Sequence, residues 1–170
     1  PMTPAMARIK MHESAAHREL NCISCHGPHD ADRQFAAVDA CLGCHNSEHV
    51  NNFDSSSHGQ LHARNLAGQL AETATVTCAT CHMPRLSTKS GGRDVVHVEH
   101  NQNANLRPSD KMLRSVCMNC HSLEFSIDAL ADLSLVSSNF TGRPQQHIES
   151  IDMAVKRHND IMKDRDSTYQ

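Results

Sequence analysis

A chain of 170 residues with no tryptophan, one tyrosine and four phenylalanines lacks the large aromatic side chains that dominate an ordinary core. Its formal charge of −3 and scattered basic residues leave no footprint for nucleic acid, and no apolar run approaches the roughly 18 residues of a membrane span. The length suits one domain, held together by something other than aromatic packing.

The chain opens Pro1-Met2-Thr3 without the charged and apolar regions of a secretory signal, so any such signal is expected to have been removed already. The first distinctive feature is the word Cys22-Ile23-Ser24-Cys25-His26, repeated as Cys41-Leu42-Gly43-Cys44-His45 after the spacer Gly27 to Ala40. In the run Asp54 to Leu70, His58, Leu61, His62, Leu66 and Leu70 stand at helix-compatible spacing, which predicts a short helix carrying His58 or His62 toward a site. A third copy, Cys78-Ala79-Thr80-Cys81-His82, precedes the polar, glycine-rich Ser87 to Asp94, predicted to be a loop. Pro108-Ser109-Asp110 marks a helix start. That helix is predicted to run through Met112, Val116 and a fourth copy, Cys117-Met118-Asn119-Cys120-His121, toward Leu130. Ser138 to Gln146, with Gly142 and Pro144, reads as a connection. Beyond it Ile148, Ile151, Val155, His158 and Met162 recur at spacings of 3, 4, 3 and 4, with Asp152, Lys156, Asp160 and Lys163 opposite, which predicts an amphipathic helix. At about 100° per residue His147 falls within about 20° of His158 on that stripe, so periodicity does not choose between them. No strand pattern is convincing, and the expected fold class is mostly α with extensive irregular loops.

The four words consume all eight cysteines. Cys-x-x-Cys-His is the attachment site of c-type haem: the two cysteines become thioethers on the vinyl groups, and the adjoining histidine is held under the iron. Zinc modules usually pair ligands from two different short knuckles, and a thioredoxin-like site needs a single CxxC near a βαβ pattern. The expected cofactors are therefore four covalently bound haem c groups. They would be attached at Cys22, Cys25, Cys41, Cys44, Cys78, Cys81, Cys117 and Cys120, with His26, His45, His82 and His121 as iron ligands. The expected architecture is a single compact tetrahaem domain over 1–170, with haems I and II in 1–50 and haems III and IV, with long C-terminal helices, in 51–170. Such staples substitute for a core in a small scaffold, and without them the chain should be largely unfolded. Covalent attachment takes place outside the cytoplasm, so the expected location is periplasmic or extracellular.

Ten of the fourteen histidines lie outside the words: His12, His17, His29, His49, His58, His62, His97, His100, His147 and His158. Four of them would complete bis-His coordination. Methionine is the competing ligand, but Met112, Met153 and Met162 suit helix packing and Met83 adjoins a word histidine. From the residues alone the choices between His12 and His17, His58 and His62, and His147 and His158 stay open.

The order Cys78-Ala79-Thr80-Cys81-His82-Met83-Pro84-Arg85, Val98-Glu99-His100, Cys117-Met118-Asn119-Cys120-His121 resembles the C-terminal haem region of the pentahaem cytochrome c nitrite reductases and the related octahaem hydroxylamine oxidoreductases, over roughly Ser57 to His158. The resemblance implies that His58 caps the fourth haem and His100 the first. It also implies that His158, six residues after Asp152, caps the third, and that a histidine upstream of the first word, here His17, caps the second. His58 lies twenty residues before Cys78, farther than in those nitrite reductases, and the first two words stand closer together than theirs. The chain has no Cys-x-x-Cys-Lys site for a catalytic haem, and its one tyrosine, Tyr169, is the penultimate residue. What the resemblance then implies is the electron-delivering array without the catalytic centre: an electron-transfer protein, not an enzyme, working between redox protein donors and acceptors. The alternatives are a reductase of nitrite or hydroxylamine type with one open haem, and a subunit of a haem-wire filament or larger redox complex.

Overall fold

The computed structural model describes residues 20–168 other than 28, 30 and 31. The chain is mostly helical with one two-stranded sheet, and no described helix is long and apolar enough to cross a membrane. In order, a turn at Cys22–Ser24 and a wide-turned stretch at Phe35–Asp39 lead into helices at Ala40–Leu42 (α1), Glu48–Asn51 (α2), Ser57–Leu66 (α3) and Cys78–His82 (α4). A hairpin of Arg85–Ser90 (β1) and Arg93–Val98 (β2) follows, then Gln102–Leu106 (α5), Met112–Ser115 (α6), Leu123–Ala131 (α7), Leu133–Ser137 (α8) and Glu149–Thr168 (α9).

The helices are short because polar side chains start and stop them. Ser56, fully buried, accepts from the Gly59 amide at 3.0 Å and donates to the Phe53 carbonyl at 2.6 Å, capping α3. Asp132 stops α7 in an extended conformation and caps α8, accepting from the Ser134 and Leu135 amides at 3.0 and 3.1 Å. Its carboxyl is held down to about 2 by the Ser134 hydroxyl and then by the Gln145 and Leu135 amides.

Two sequence expectations are corrected here. The single helix expected from Pro108 toward Leu130 is broken. Val116 leaves helical geometry at φ −129°, ψ −71°, a tight turn forms at Cys117–Asn119, and Ser122 caps a new helix by accepting from the Phe125 amide. The glycine-rich stretch expected as a loop is the tip of an antiparallel hairpin in which Ser90 pairs Arg93. Gly91 and Gly92 form its two-residue turn with φ of +57° and +79°, the left-handed pair that matches strand twist. Both strands are largely exposed, so neither carries the alternation by which a half-buried strand is recognised.

Apart from Pro84, the buried apolar side chains among the described residues are Val38, Phe53, Met112, Ala129 and Leu135. As many polar ones are buried: Ser56, His62, Asn105, Ser126, Asp128 and Asn139. Two of them tie separate segments together. Asn105 donates to the Cys81 carbonyl at 2.9 Å and accepts from the Ser115 hydroxyl, tying α4 to α6. Asn139 donates to the His49 carbonyl at 2.8 Å and Asn52 donates to the Ser137 carbonyl at 3.3 Å, docking α2 on α8.

The C-terminal helix begins at Glu149, so His147 stands ahead of it and does not share its stripe. Both its ring nitrogens are taken, Nδ1 by Asp128 at 2.6 Å and Nε2 by Asp152 at 2.9 Å, while the Ile148 amide donates to Asp128 at 3.1 Å. His147 is thus a clamp between α7 and the first turn of α9. On that stripe His158 lies at the surface, while Ile151 and Met162 are half-buried.

The Asp128 and Asp152 carboxylates raise the His147 pKa, and the His147 bond lowers that of Asp128. Glu124 also faces the cluster, its carboxylate within 4.8 Å of the His147 and Asp152 ligand atoms. A raised histidine contributes stability that is full below its unfolded value of about 6.5 and lost as pH rises through the folded value. The lowered aspartate acts oppositely, contributing above about 3.9 and losing its contribution as pH falls. We expect the thermal midpoint to fall as pH is raised past about 6.5 and that fall to vanish in His147→Gln; equal pH profiles for the two proteins would contradict the clamp.

Candidate haem sites

Each Cys-x-x-Cys-His word is wound into one helical turn. The amides of His26, His45 and His121 close on the carbonyls of Cys22, Cys41 and Cys117 at 2.9, 2.9 and 2.8 Å, and the third word is helix α4 itself. Positions i, i+3 and i+4 share a helix face, so the winding turns both thiols and the imidazole to one side. The intervening residues help. Asn21 and Ser24 form a capping box on the first word and Thr77 and Thr80 on the third, with the Thr77 amide donating to Thr80 at 3.0 Å and the Thr80 amide donating back at 3.3 Å. All eight thiols are free.

Successive words lie near one another, and the second and third are in contact. Cys25 is raised by burial and then by Cys41 and Cys44. The thiols of Cys41 and Cys78 are hydrogen-bonded, an arrangement that raises Cys41 and lowers Cys78. Cys81 is pushed up to about 12 by burial and then by Cys117. A cavity of about 640 Å³, a size that accommodates a cofactor, is lined by Cys41, His45, Cys78 and His82 from the words and by His49 and His58 from outside them.

His26, His82 and His121 each lie beside an imidazole from outside the words. Ring centres are 6.4 Å apart for His26 and His100, 6.2 Å for His82 and His49, and 6.1 Å for His121 and His58. An imidazole nitrogen lies about 2 Å from a first-row metal it ligates and the ring centre about 1 Å behind, so two rings on opposite sides of one iron stand about 6 Å apart. Phe140 stands 6.2 Å from both His49 and His58, so separation alone marks only contact. What singles out the histidine pairs is their donor chemistry. His100 Nδ1 is 3.0 Å from the Val98 carbonyl and His49 Nδ1 is 2.5 Å from the Val136 carbonyl. A carbonyl only accepts, so in each case Nδ1 carries the proton and Nε2 keeps the lone pair that binds a metal. His82 is pulled down to about 4 by burial, then by His49 and His45, and His58 is lowered by burial, then by His121. Both stay neutral at pH 7, the ligating form. Donors, spacing and cavity fit an iron porphyrin.

The structure brings His100 to His26 and His58 to His121, the pairs the resemblance implies. His62, one turn from His58, packs instead against Phe53, with Nδ1 3.3 Å from the Thr75 hydroxyl and Nε2 buried without a partner. His158 is not brought to His82; it is exposed, and no ring contact or hydrogen bond of His158 occurs among the described residues. His12 and His17 lie outside the described residues. Sequence reasoning passed over His49, Asn139 and Phe140. One signal was present for the first: His49 follows His45 by four residues, one helical turn.

No protein-family model, curated protein or solved structure matches this chain. The reading of the site rests on its own residues.

The direction of His58 depends on its neighbour. A Cβ on Gly59 would lie 1.9 Å from the Phe53 carbonyl oxygen and 2.7 Å from its carbon, a contact with backbone that cannot rotate away. Gly59→Ala gains up to about 1 kcal/mol of helix propensity but forces α3 off this seat. We expect a net loss within the range of about 1–3 kcal/mol typical of overpacking, read as a lowered denaturant midpoint; a raised midpoint would contradict the close approach.

Proposed function

We propose that this chain is a tetrahaem c-type cytochrome that relays electrons between redox proteins outside the cytoplasm. The observation that carries the reading is the set of four complete words using every cysteine, each wound so that two thiols and an imidazole share a face. The cysteine pairs of each word would add S–H across the two vinyl groups, forming two C–S bonds with no atom lost, and His26, His45, His82 and His121 would ligate iron. Haem, once bound, supplies a one-electron couple. The chain supplies position and electrostatics. Backbone acceptance from Nδ1 orients His100 opposite His26. Phe125 stacks on His121 at 4.9 Å and 27°, covering one side of the fourth site. The Cys41–Cys78 hydrogen bond, with Cys25 near Cys41 and Cys81 near Cys117, supports haems that lie close enough to exchange electrons. The sparse apolar core supports an organisation built around cofactors. With no Cys-x-x-Cys-Lys word in the chain, electron transfer between redox partners is favoured over catalysis.

Protein made in a host that attaches haem covalently tests this directly. Its denatured mass should correspond to four haems; three haems, or free thiols, would sink the tetrahaem reading. The oxidised protein should give low-spin paramagnetic resonance signals that nitrite and hydroxylamine leave unchanged, whereas a high-spin haem that binds either molecule would replace the relay with a reductase. His58→Ala should open one haem to carbon monoxide. His62→Leu should open none, since His62 packs on Phe53 and bonds Thr75 and faces no word histidine among the described residues. The opposite pattern would move the ligand to His62.

A further inference from the structure

The resemblance to nitrite reductases assigns the far side of the third haem to His158. The residues around His82 point elsewhere. His82 and His49 line one cavity with ring centres 6.2 Å apart, while His158 lies exposed on α9. His49 is also held as a ligand needs to be held. Its Nδ1 donates to the Val136 carbonyl at 2.5 Å, its own carbonyl accepts from Asn139 at 2.8 Å, and the Phe140 ring meets it edge-on at 88°. The same Asn139 amide reaches Nε2 at 3.3 Å, so iron could take over Nε2 while the amide keeps its better bond.

The corner that makes these contacts is conformationally costly. Asn139 and Phe140 are consecutive non-glycine residues at φ 53° and 58°, a left-handed geometry that persists only where surrounding structure over-determines it. Here the Phe140 amide closes on the Leu135 carbonyl at 2.7 Å and buried Asn139 bonds across to α2. Phe140 contacts His58 as well, 6.2 Å from its ring, so one corner supports two histidines that face different words.

We infer that His49, not His158, is the second axial ligand of the third haem, and that the Asn139–Phe140 corner holds it in place. This rests on the tetrahaem reading. Since His49 follows His45 by four residues, the α2 segment would join the proximal side of the second haem to the distal side of the third.

The test uses the haem-loaded chain, with the mass of each variant counted first; fewer than four haems in the unsubstituted protein would sink the tetrahaem reading itself. Given four, His49→Ala should convert one haem per chain to high spin, bind one carbon monoxide when reduced, and return to low spin on adding imidazole. His158→Ala should do none of these. In a His49→Ala, His82→Ala double variant, carbon monoxide uptake should stay at one per chain if both residues serve one iron; two per chain would place His49 on another haem and overturn the assignment. His49→Ala leaving every haem low-spin, or His158→Ala opening a haem, would also overturn it. If His49→Ala does not accumulate, His49→Met keeps a ligand. It should introduce a methionine-to-iron charge-transfer band and raise the potential of one haem, and the absence of both would overturn the assignment equally. Asn139→Gly, which keeps the left-handed backbone but removes the amide, should shift the low-spin signal of one haem while retaining four; an unchanged spectrum would remove Asn139 from the positioning role.

Discussion

Burial of polar side chains in numbers equal to apolar ones is the constraint on which this fold turns. A hydrocarbon core is non-directional and tolerates rearrangement, whereas a buried amide or hydroxyl costs about 1–3 kcal/mol if its partner is lost. Asn105 and Asn139 each reach the backbone of a distant segment that carries a word or a facing histidine, and Ser56 caps the helix that carries His58. The positions of the imidazoles are therefore fixed by hydrogen bonds of defined length and direction. Small scaffolds ordinarily need a staple beyond their core, and in the tetrahaem reading the cofactors are that staple.

The local device is equally economical. One turn of helix places positions i, i+3 and i+4 together, which is the spacing of the two cysteines and the histidine in every word. Ser24 and Thr80, the variable residues before the second cysteine, complete capping boxes that hold two of the turns. The hairpin then has a clear role despite burying little. It carries the chain from Pro84, whose carbonyl accepts from the Glu99 amide at 2.9 Å, round to His100 opposite His26. An exposed two-stranded ribbon is marginal alone, so its anchoring at this root matters more than its strands.

At the other end the His147 clamp separates two kinds of histidine. Where both ring nitrogens meet carboxylates, as in His147, the ring is stabilised as a cation and has no lone pair to give. Where Nδ1 meets a backbone carbonyl, as in His49, or burial favours the neutral ring, as in His82, it has one. The α9 stripe, amphipathic in sequence, stays exposed at His158. The clamp fixes only the first turn of that helix.

What the sequence by itself determined is local. The attachment cysteines and their histidines lie within five consecutive residues, so their chemistry is legible without a fold. The short helix within Asp54 to Leu70 and the helical run from Ile148 to Met162 were legible for the same reason, since each depends on neighbours one turn away. The break at Val116 was not, because the helical spacing continues through it while the fourth word and Ser122 start the geometry afresh. The hairpin escaped because exposed strands need no alternation. Which histidine faces which word was decided only in three dimensions. His49 meets His82, and leans on Val136 and Asn139, across stretches of chain over which no periodicity runs. His147 and His158 share an angle on a helical wheel, but the tertiary structure starts the helix after the first and exposes the second, because the carboxylates of Asp128 and Asp152 claim His147 before the helix begins.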